Sequence, residues 1–160
     1  MITAAVLTLS DRGSRGERMD QSGPAIQEML GSIGGRVATS EVLPDEKDLL
    51  KDRLVALSGT VDLILTTGGT GLSPRDITPE ATLEVVEREV PGIAEAMRMV
   101  GLSKTPRAML SRAVAGVRRG TLIINLPGSP RAVRENLGTV LQVIPHAVEK
   151  IKGSQEECAR

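Results

Sequence analysis

Segments that can be strands alternate along this chain with segments whose apolar residues recur at helical spacing. That alternation limits the fold more than any other feature, because it predicts parallel strands joined by helices. Ile2 to Leu9 is apolar, and Val6, Leu7 and Leu9 are crowded enough for a strand buried on both faces. A polar loop, SDRGSRGERMDQSGP, leads to a helix entry at Ser22-Gly23-Pro24, with Ile26, Met29, Leu30 and Ile33 on one face and Gly31, Gly34 and Gly35 at its end. Arg36 to Leu43 spaces its apolar residues with polar ones, as a strand near a sheet edge would. Pro44-Asp45-Glu46 opens a second helix carrying Leu49, Leu50, Leu54 and Leu57. Val61 to Leu65 is the most continuous apolar run. A helix entered at Thr78-Pro79 follows, and Pro91-Gly92 divides it from another bearing Ile93, Ala96, Met97 and Val100. Ala113 to Val117 and Thr121 to Leu126, joined by RRG, predict a hairpin. The last helix runs from Pro130 toward Ile151, with a bend at Pro145. The expectation is a three-layer α/β sandwich: a mostly parallel sheet with one antiparallel strand and helices on both faces.

At 160 residues the chain fits one domain, taken as 1–152 with a frayed tail from 153 to 160. It contains no Phe, Trp or Tyr, so its core must be built from Leu, Val, Ile, Ala and Met. The same absence disfavours any mechanism that needs a tyrosine acid or an aromatic base-stacking platform. Lys plus Arg equals Asp plus Glu at 20 each, so no global field draws the chain to nucleic acid or membrane, and any anion site must be made locally. The lone cysteine, Cys158, is read as a free surface thiol that fits a reducing compartment. The short N-terminal apolar run lacks a basic leader, and no segment reaches the length of a membrane span. A cytoplasmic location is expected.

In an open parallel sheet, ligands sit beyond the carboxyl ends of the strands. Three unusual loops leave such ends, after Leu9, Leu65 and Leu126. Gly68, Gly69 and Gly71 follow Thr67, and bare backbone before a helix start suits a phosphate, with Thr67, Thr70 and Ser73 supplying hydroxyls. The alternative is a strained turn without a ligand. The loop is neither a Walker A nor a dinucleotide-binding glycine motif. Asp76 can hold Mg²⁺ beside a phosphate or cap an Asx turn. Arg75 suits an anion or a neighbouring acid. Asp45 can be a ligand or the N-cap of the second helix. Ser10, Asp11 and Arg12 form a second candidate anion site, and Gly128 with Ser129 a third. His146 reads as a packed or solvent-facing residue, and the Met97/Met99 region as core or subunit contact.

The stretch LTTGGTGLSPRDITPEAT, with SDR, DQSGP, LPDE and NLPGSPRAV, resembles the molybdopterin-binding MogA/MoaB family of molybdenum cofactor biosynthesis, whose domain recurs in animal gephyrin. The resemblance covers roughly Ile2 to Ile151, and the compact length looks more like the MoaB type. It implies a homotrimer or larger homo-oligomer, binding of molybdopterin, and Mg²⁺-ATP-dependent adenylylation of it. The molybdenum-insertion protein becomes a candidate partner. By the same resemblance Asp45 and Asp76 match the two catalytic aspartates and would hold Mg²⁺. Gly68 to Gly71 match the phosphate-cradling turn, and Ser10, Asp11, Gly128 and Ser129 match positions lining the pterin or nucleotide pocket. The family also has members held to bind pterin without adenylylating it, so a non-catalytic carrier or scaffold is the rival expectation. A nucleotide-cleaving enzyme on the same fold is a third. Without aromatic residues, adenine and pterin rings would need aliphatic walls, Arg planes and backbone hydrogen bonds.

Overall fold

The structure, a computed structural model, describes residues 1–156. Cys158 and the tail beyond 156 lie outside the described residues. Six strands form one sheet: β1 (Ile2–Leu9), β2 (Gly35–Leu43), β3 (Leu63–Thr67), β4 (Arg88–Glu89), β5 (Ala115–Arg118) and β6 (Thr121–Leu126), in the order β2-β1-β3-β6-β5-β4. The helices are α1 (Asp11–Ser14), α2 (Ser22–Gly31), α3 (Lys47–Leu57), α4 (Thr78–Val85), α5 (Pro91–Leu102), α6 (Pro130–Val140) and α7 (Ile144–Ile151). β2, β1, β3 and β6 are mutually parallel, β5 runs against β6, and β4 runs against β5. A single strand is therefore reversed, as expected.

The apolar runs are continuous because alternate side chains enter two different cores. Ala4, Val6, Leu63, Leu65, Leu122 and Ile124 face α2, α5, α6 and α7, packing with Ile26, Leu30, Met97, Val133 and Leu137. Ala5, Leu7, Leu9, Ile64 and Ile123 face α3 and α4, packing with Leu50, Leu54, Ala81 and Val85. Complete burial of a Leu or Ile stabilises by about 1.5–3 kcal/mol, so these two aliphatic layers suffice without an aromatic ring. β2 alternates half-buried and exposed residues along most of its length, as its edge position dictates.

Register makes the site. Thr8 pairs with Thr67, and Thr67 with Leu126, so β1, β3 and β6 end level with one another. From β1 the chain goes outward to β2, then returns past β1 to β3. The gap between the β1 and β3 ends is thus the topological switch point at which open α/β sheets bind ligands.

Several boundaries differ from the sequence expectation. The third strand is 63–67 and not 61–65, because Thr66 and Thr67 continue the ladder while fully buried. β4 has no counterpart in that expectation: two exposed residues carry no alternation, and only the backbone pairing with β5 defines them. The last helix breaks at a 3-10 turn, Leu141–Val143, one turn before Pro145, whose ring would clash with the carbonyl four residues back. His146 is exposed on α7; Met97 is buried, and Met99 is exposed.

Buried Asn125 ties the layers together. Its amide nitrogen donates to Thr66 Oγ1 (3.0 Å) and Thr82 Oγ1 (2.9 Å), and its oxygen accepts from the Val114 amide (3.2 Å). Asn125→Leu fills the space but strands the Val114 N–H. We expect a loss of about 2–4 kcal/mol in urea unfolding, since unsatisfied buried polar groups cost about 1–3 kcal/mol each. An unchanged midpoint would show that the network does not contribute.

Candidate functional site

All three loops meet at one cleft of about 660 Å³. Its wall includes Ser10, Asp11 and Arg12 from the end of β1, Asp45 from the β2–α3 turn, Thr67, Gly68, Gly69 and Asp76 from the β3–α4 loop, and Gly128 and Ser129 from the start of α6. Thr70, Gly71, Ser73 and Arg75 do not line it.

The glycine turn has a structural reason for two of its glycines. Gly68 and Gly69 have φ of +95° and +68°, where side chains with a Cβ are strained. A Cβ on Gly68 would lie 2.5 Å from the Leu9 carbonyl oxygen, and one on Gly69 would lie 2.4 Å from Thr78 Oγ1. Thr78 pins the turn: its hydroxyl donates to the Gly68 carbonyl (2.9 Å) and its amide to the Gly69 carbonyl (3.1 Å). A Cβ on Gly128 would sit 3.4 Å from Gly68 Cα, so the glycine turn and the α6 entry lie against each other. The Gly68 amide donates to the Leu126 carbonyl (3.1 Å) and the Thr67 hydroxyl to the Pro127 carbonyl (2.6 Å); neither is left for a ligand. The amides of Gly69, Gly128 and Ser129 have no protein acceptor among the described residues. Ser10 Oγ accepts from the Gly13 amide (2.9 Å) and Ser129 Oγ from the Ala132 amide (3.2 Å), capping α1 and α6.

The acids are arranged unequally. Asp11 and Asp45 are locked reciprocally: the Asp11 amide donates to Asp45 Oδ2 (3.0 Å), and the Asp45 amide donates to Asp11 Oδ1 (2.9 Å). Arg75 grips Asp11 with two 2.8 Å bonds and reaches Glu46 at 3.2 Å. The Arg75 hydrogen bonds and the Asp45 amide hold the Asp11 carboxyl down to about 2. Arg75 therefore partners acids, the second of the two roles open to it. Asp45 has no cation hydrogen-bonded to it among the described residues: burial pushes its carboxyl up and the charges of Asp11 and Asp76 add to this, while the Asp11 amide and the Arg75 charge oppose it. Asp45 does not cap α3, because Glu46 occupies that position without a side-chain bond. Asp76 Oδ2 accepts from the Ser73 amide (2.9 Å), so it closes a turn and lines the cleft at once.

Other contributors carried little sequence signal. Asp20 accepts from Thr8 Oγ1 (2.9 Å) and from the Ser22 and Gly23 amides (3.0 and 3.1 Å), while Ser22 Oγ donates to the Gly128 carbonyl (2.7 Å). The sequence places Asp20 beside a helix entry and says nothing of the partner loop. Arg112 holds the β3–α4 loop from behind, through its amide to Thr70 O (3.0 Å), its Nε to Gly71 O (2.8 Å) and its guanidinium to Asp76 O (2.8 Å), and it pairs with Glu80. Nothing local in the sequence joins Arg112 to a loop some forty residues earlier.

One oxygen of Asp45 and one of Asp76 accept no hydrogen bond among the described residues, and the Asp76 charge acts on Asp45. Two carboxylates with substrate oxygens make a hard-oxygen set suited to Mg²⁺. The described residues contain no cluster of three or more His, Cys, Asp or Glu able to hold an ion without such help.

The family described as "Probable molybdopterin binding domain" matches residues 5–146. A molybdopterin adenylyltransferase of Helicobacter pylori (strain J99) is 45% identical over 157 residues, 96% of this chain and 89% of that protein. Gephyrin of Dictyostelium discoideum is 49% identical over 89% of this chain, which is 21% of gephyrin. The crystal structure of the molybdopterin biosynthesis enzyme MoaB from Thermus thermophilus superposes with a TM-score of 0.90 at 54% identity, covering 96% of this chain and 98% of that one.

Gly68→Ala should lower the melting temperature and disturb the cleft, because its φ is left-handed and the Leu9 carbonyl is fixed backbone. The expected cost is about 1–3 kcal/mol. Gly31→Ala, in the last turn of α2 with nothing within 4 Å of its Cβ, should be neutral or stabilising by up to about 1 kcal/mol. Equal melting temperatures for the two variants would contradict the structural role of Gly68.

Proposed function

The chain belongs to the molybdopterin-binding family of molybdenum cofactor biosynthesis, and from that membership we propose that it is a molybdopterin adenylyltransferase, moving AMP from ATP to the terminal phosphate of molybdopterin. One observation carries the reading: free backbone amides and incompletely bonded carboxylates share a single cleft at the switch point of the sheet. Among the described residues no His, Cys or Lys lines that cleft, so direct transfer without a covalent enzyme intermediate suits it.

An oxygen of the pterin phosphate attacks the α-phosphorus of ATP. The new P–O bond forms as the bond to the bridging oxygen breaks, and pyrophosphate leaves with that electron pair. Such transfers depend on positioning and charge neutralisation. The Gly69, Gly128 and Ser129 amides donate to phosphate oxygens, with the positive end of α6 behind the last two. Asp45 and Asp76 would hold Mg²⁺, which when bound offsets charge on the reacting phosphates. Asp11, pinned by Arg75, fixes Asp45 through the reciprocal amide bonds. Thr78 and Arg112 hold the glycine loop and Asp76 in place.

Incubation with molybdopterin, Mg²⁺ and ATP should yield pyrophosphate and adenylylated pterin. Asp76→Ala and Asp45→Ala should each slow this by about 10²–10³ while leaving pterin bound. Tight pterin binding with no pyrophosphate would favour the carrier function instead, and full rate in both variants would remove the metal role. The same assay should show an acid limb. Asp45 must be ionised to hold a cation and its carboxyl is raised above 3.8, so the Mg²⁺ requirement should grow as pH falls toward that raised value. Asp11, lowered to about 2, stays charged throughout that window and keeps its grip on Arg75.

We also propose a homotrimer or larger homo-oligomer, cytoplasmic, formed from one domain spanning 1–152. The exposed Met99, Leu102, Met109 and Leu110 on α5 and the 3-10 turn after it offer apolar surface for self-association. Sedimentation equilibrium should return three or more chain masses; a monomer at micromolar concentration would overturn this.

A further inference from the structure

A ligand built from fused heterocycles and phosphates needs two kinds of wall. The amides and carboxylates above serve phosphates and a cation, and nothing assigned so far receives a ring. Proteins ordinarily offer Phe, Tyr or Trp for this, but this chain has none of them. A guanidinium plane and a thioether are two side-chain groups that can receive a ring in place of an aromatic one.

Both are present at one place in the cleft. Of the described Lys and Arg residues, two line it, Arg12 and Arg18, and neither guanidinium makes an ion pair or hydrogen bond among the described residues, although the Arg12 charge helps lower the Glu17 carboxyl. By contrast Arg15, on the same loop, is paired with Glu17 at 2.9 Å and does not line the cleft. Met19 follows Arg18 directly. It also lines the cleft, yet is 81% exposed, an apolar side chain left in water unless a ligand covers it. Val42 and Pro130 extend the apolar part of the same wall. The loop that carries Arg18 and Met19 is anchored next to them by Asp20, whose carboxylate holds Thr8 and the first amides of α2.

We propose that Arg18 and Met19 form the ring-binding wall of this cleft, taking the face of a fused nitrogen heterocycle, purine or pterin, in place of an aromatic side chain. This rests on the reading of the cleft as a site for a pterin and a nucleotide. A purely phosphate-binding role for Arg18 fits less well. A phosphate gains nothing from the adjacent exposed thioether, and free amides already face the cleft on the other two loops.

The test exploits the composition. A chain without Trp or Tyr adds no fluorescence of its own, so 6-hydroxymethylpterin can be titrated by its intrinsic emission, with ATP and inorganic tripolyphosphate followed by calorimetry. Arg18→Ala and Arg18→Lys should both weaken ATP or the pterin by about 3- to 30-fold, the range of a desolvated cation–π contact. Met19→Ala should weaken the same ligand by about 2- to 10-fold. Tripolyphosphate binding should hold in all three, and Arg15→Lys should behave as wild type. Loss confined to ATP places the purine on this wall, and loss confined to the pterin places the pterin there; either supports the proposal. If Arg18→Lys restores wild-type affinity, or tripolyphosphate weakens in parallel, Arg18 acts as a charge and the proposal is overturned. If wild type binds and every variant binds equally, this proposal alone fails. If wild type binds neither ATP nor pterin, the reading of the cleft fails and takes this wall with it. Arg18 and Met19 are exposed, so their replacement leaves the core untouched.

Discussion

Three parallel strands, buried on both faces and ending level, are the constraint on which everything else in this molecule rests. Because β1, β3 and β6 send alternate residues into two aliphatic cores, neither sliding nor tilting one of them is possible without exposing a layer of Leu and Ile. The level ends at Leu9, Thr67 and Leu126 then bring three loops, distant in sequence, to one rim. The strand order adds the final element, since the reversal of direction between β1 and β3 leaves a gap no crossover helix fills.

Within that gap, glycine serves packing and ligand access in the same few residues. Gly68 lies against the Leu9 carbonyl and beside Gly128, and its amide is bonded to Leu126, so its first function is to let two turns approach. Gly69, one residue on, shares the left-handed backbone, but its amide has no acceptor among the described residues. A loop whose glycines suggest uniform availability to a phosphate thus divides into an anchored half and an open half. Thr78 holds the Gly68 and Gly69 carbonyls, and Arg112 holds those of Thr70 and Gly71.

The electrostatic logic follows from unequal partners. Asp11 and Asp45 are bound by each other's amides, yet the cation goes to Asp11 alone. Asp11 is thereby a structural acid. At Asp45 burial and two neighbouring negative charges outweigh the Asp11 amide and the Arg75 charge, a state that favours either a proton or a bound cation. Strain of this kind at a site, offset elsewhere by a rigid sheet, is the usual relation between stability and function.

The sequence by itself determined the three-layer α/β class, the one reversed strand and the loops that matter. Local periodicity, Pro at helix starts and runs of glycine are readable one segment at a time. It also marked Asp45 and Asp76 through their resemblance to a known family, although spacing alone left Asp45 either a ligand or a helix cap. The tertiary structure decided which groups are free. Arg75 turns to Asp11, the Gly68 amide and Thr67 hydroxyl go to the protein, and Arg112 reaches a loop some forty residues away. It also decided that β4 exists and that the last helix breaks before Pro145. The physical reason is common to all of these. Whether a donor, an acceptor or a charge is available depends on which distant group lies within about 3 Å of it, and only the packing of the sheet sets that distance.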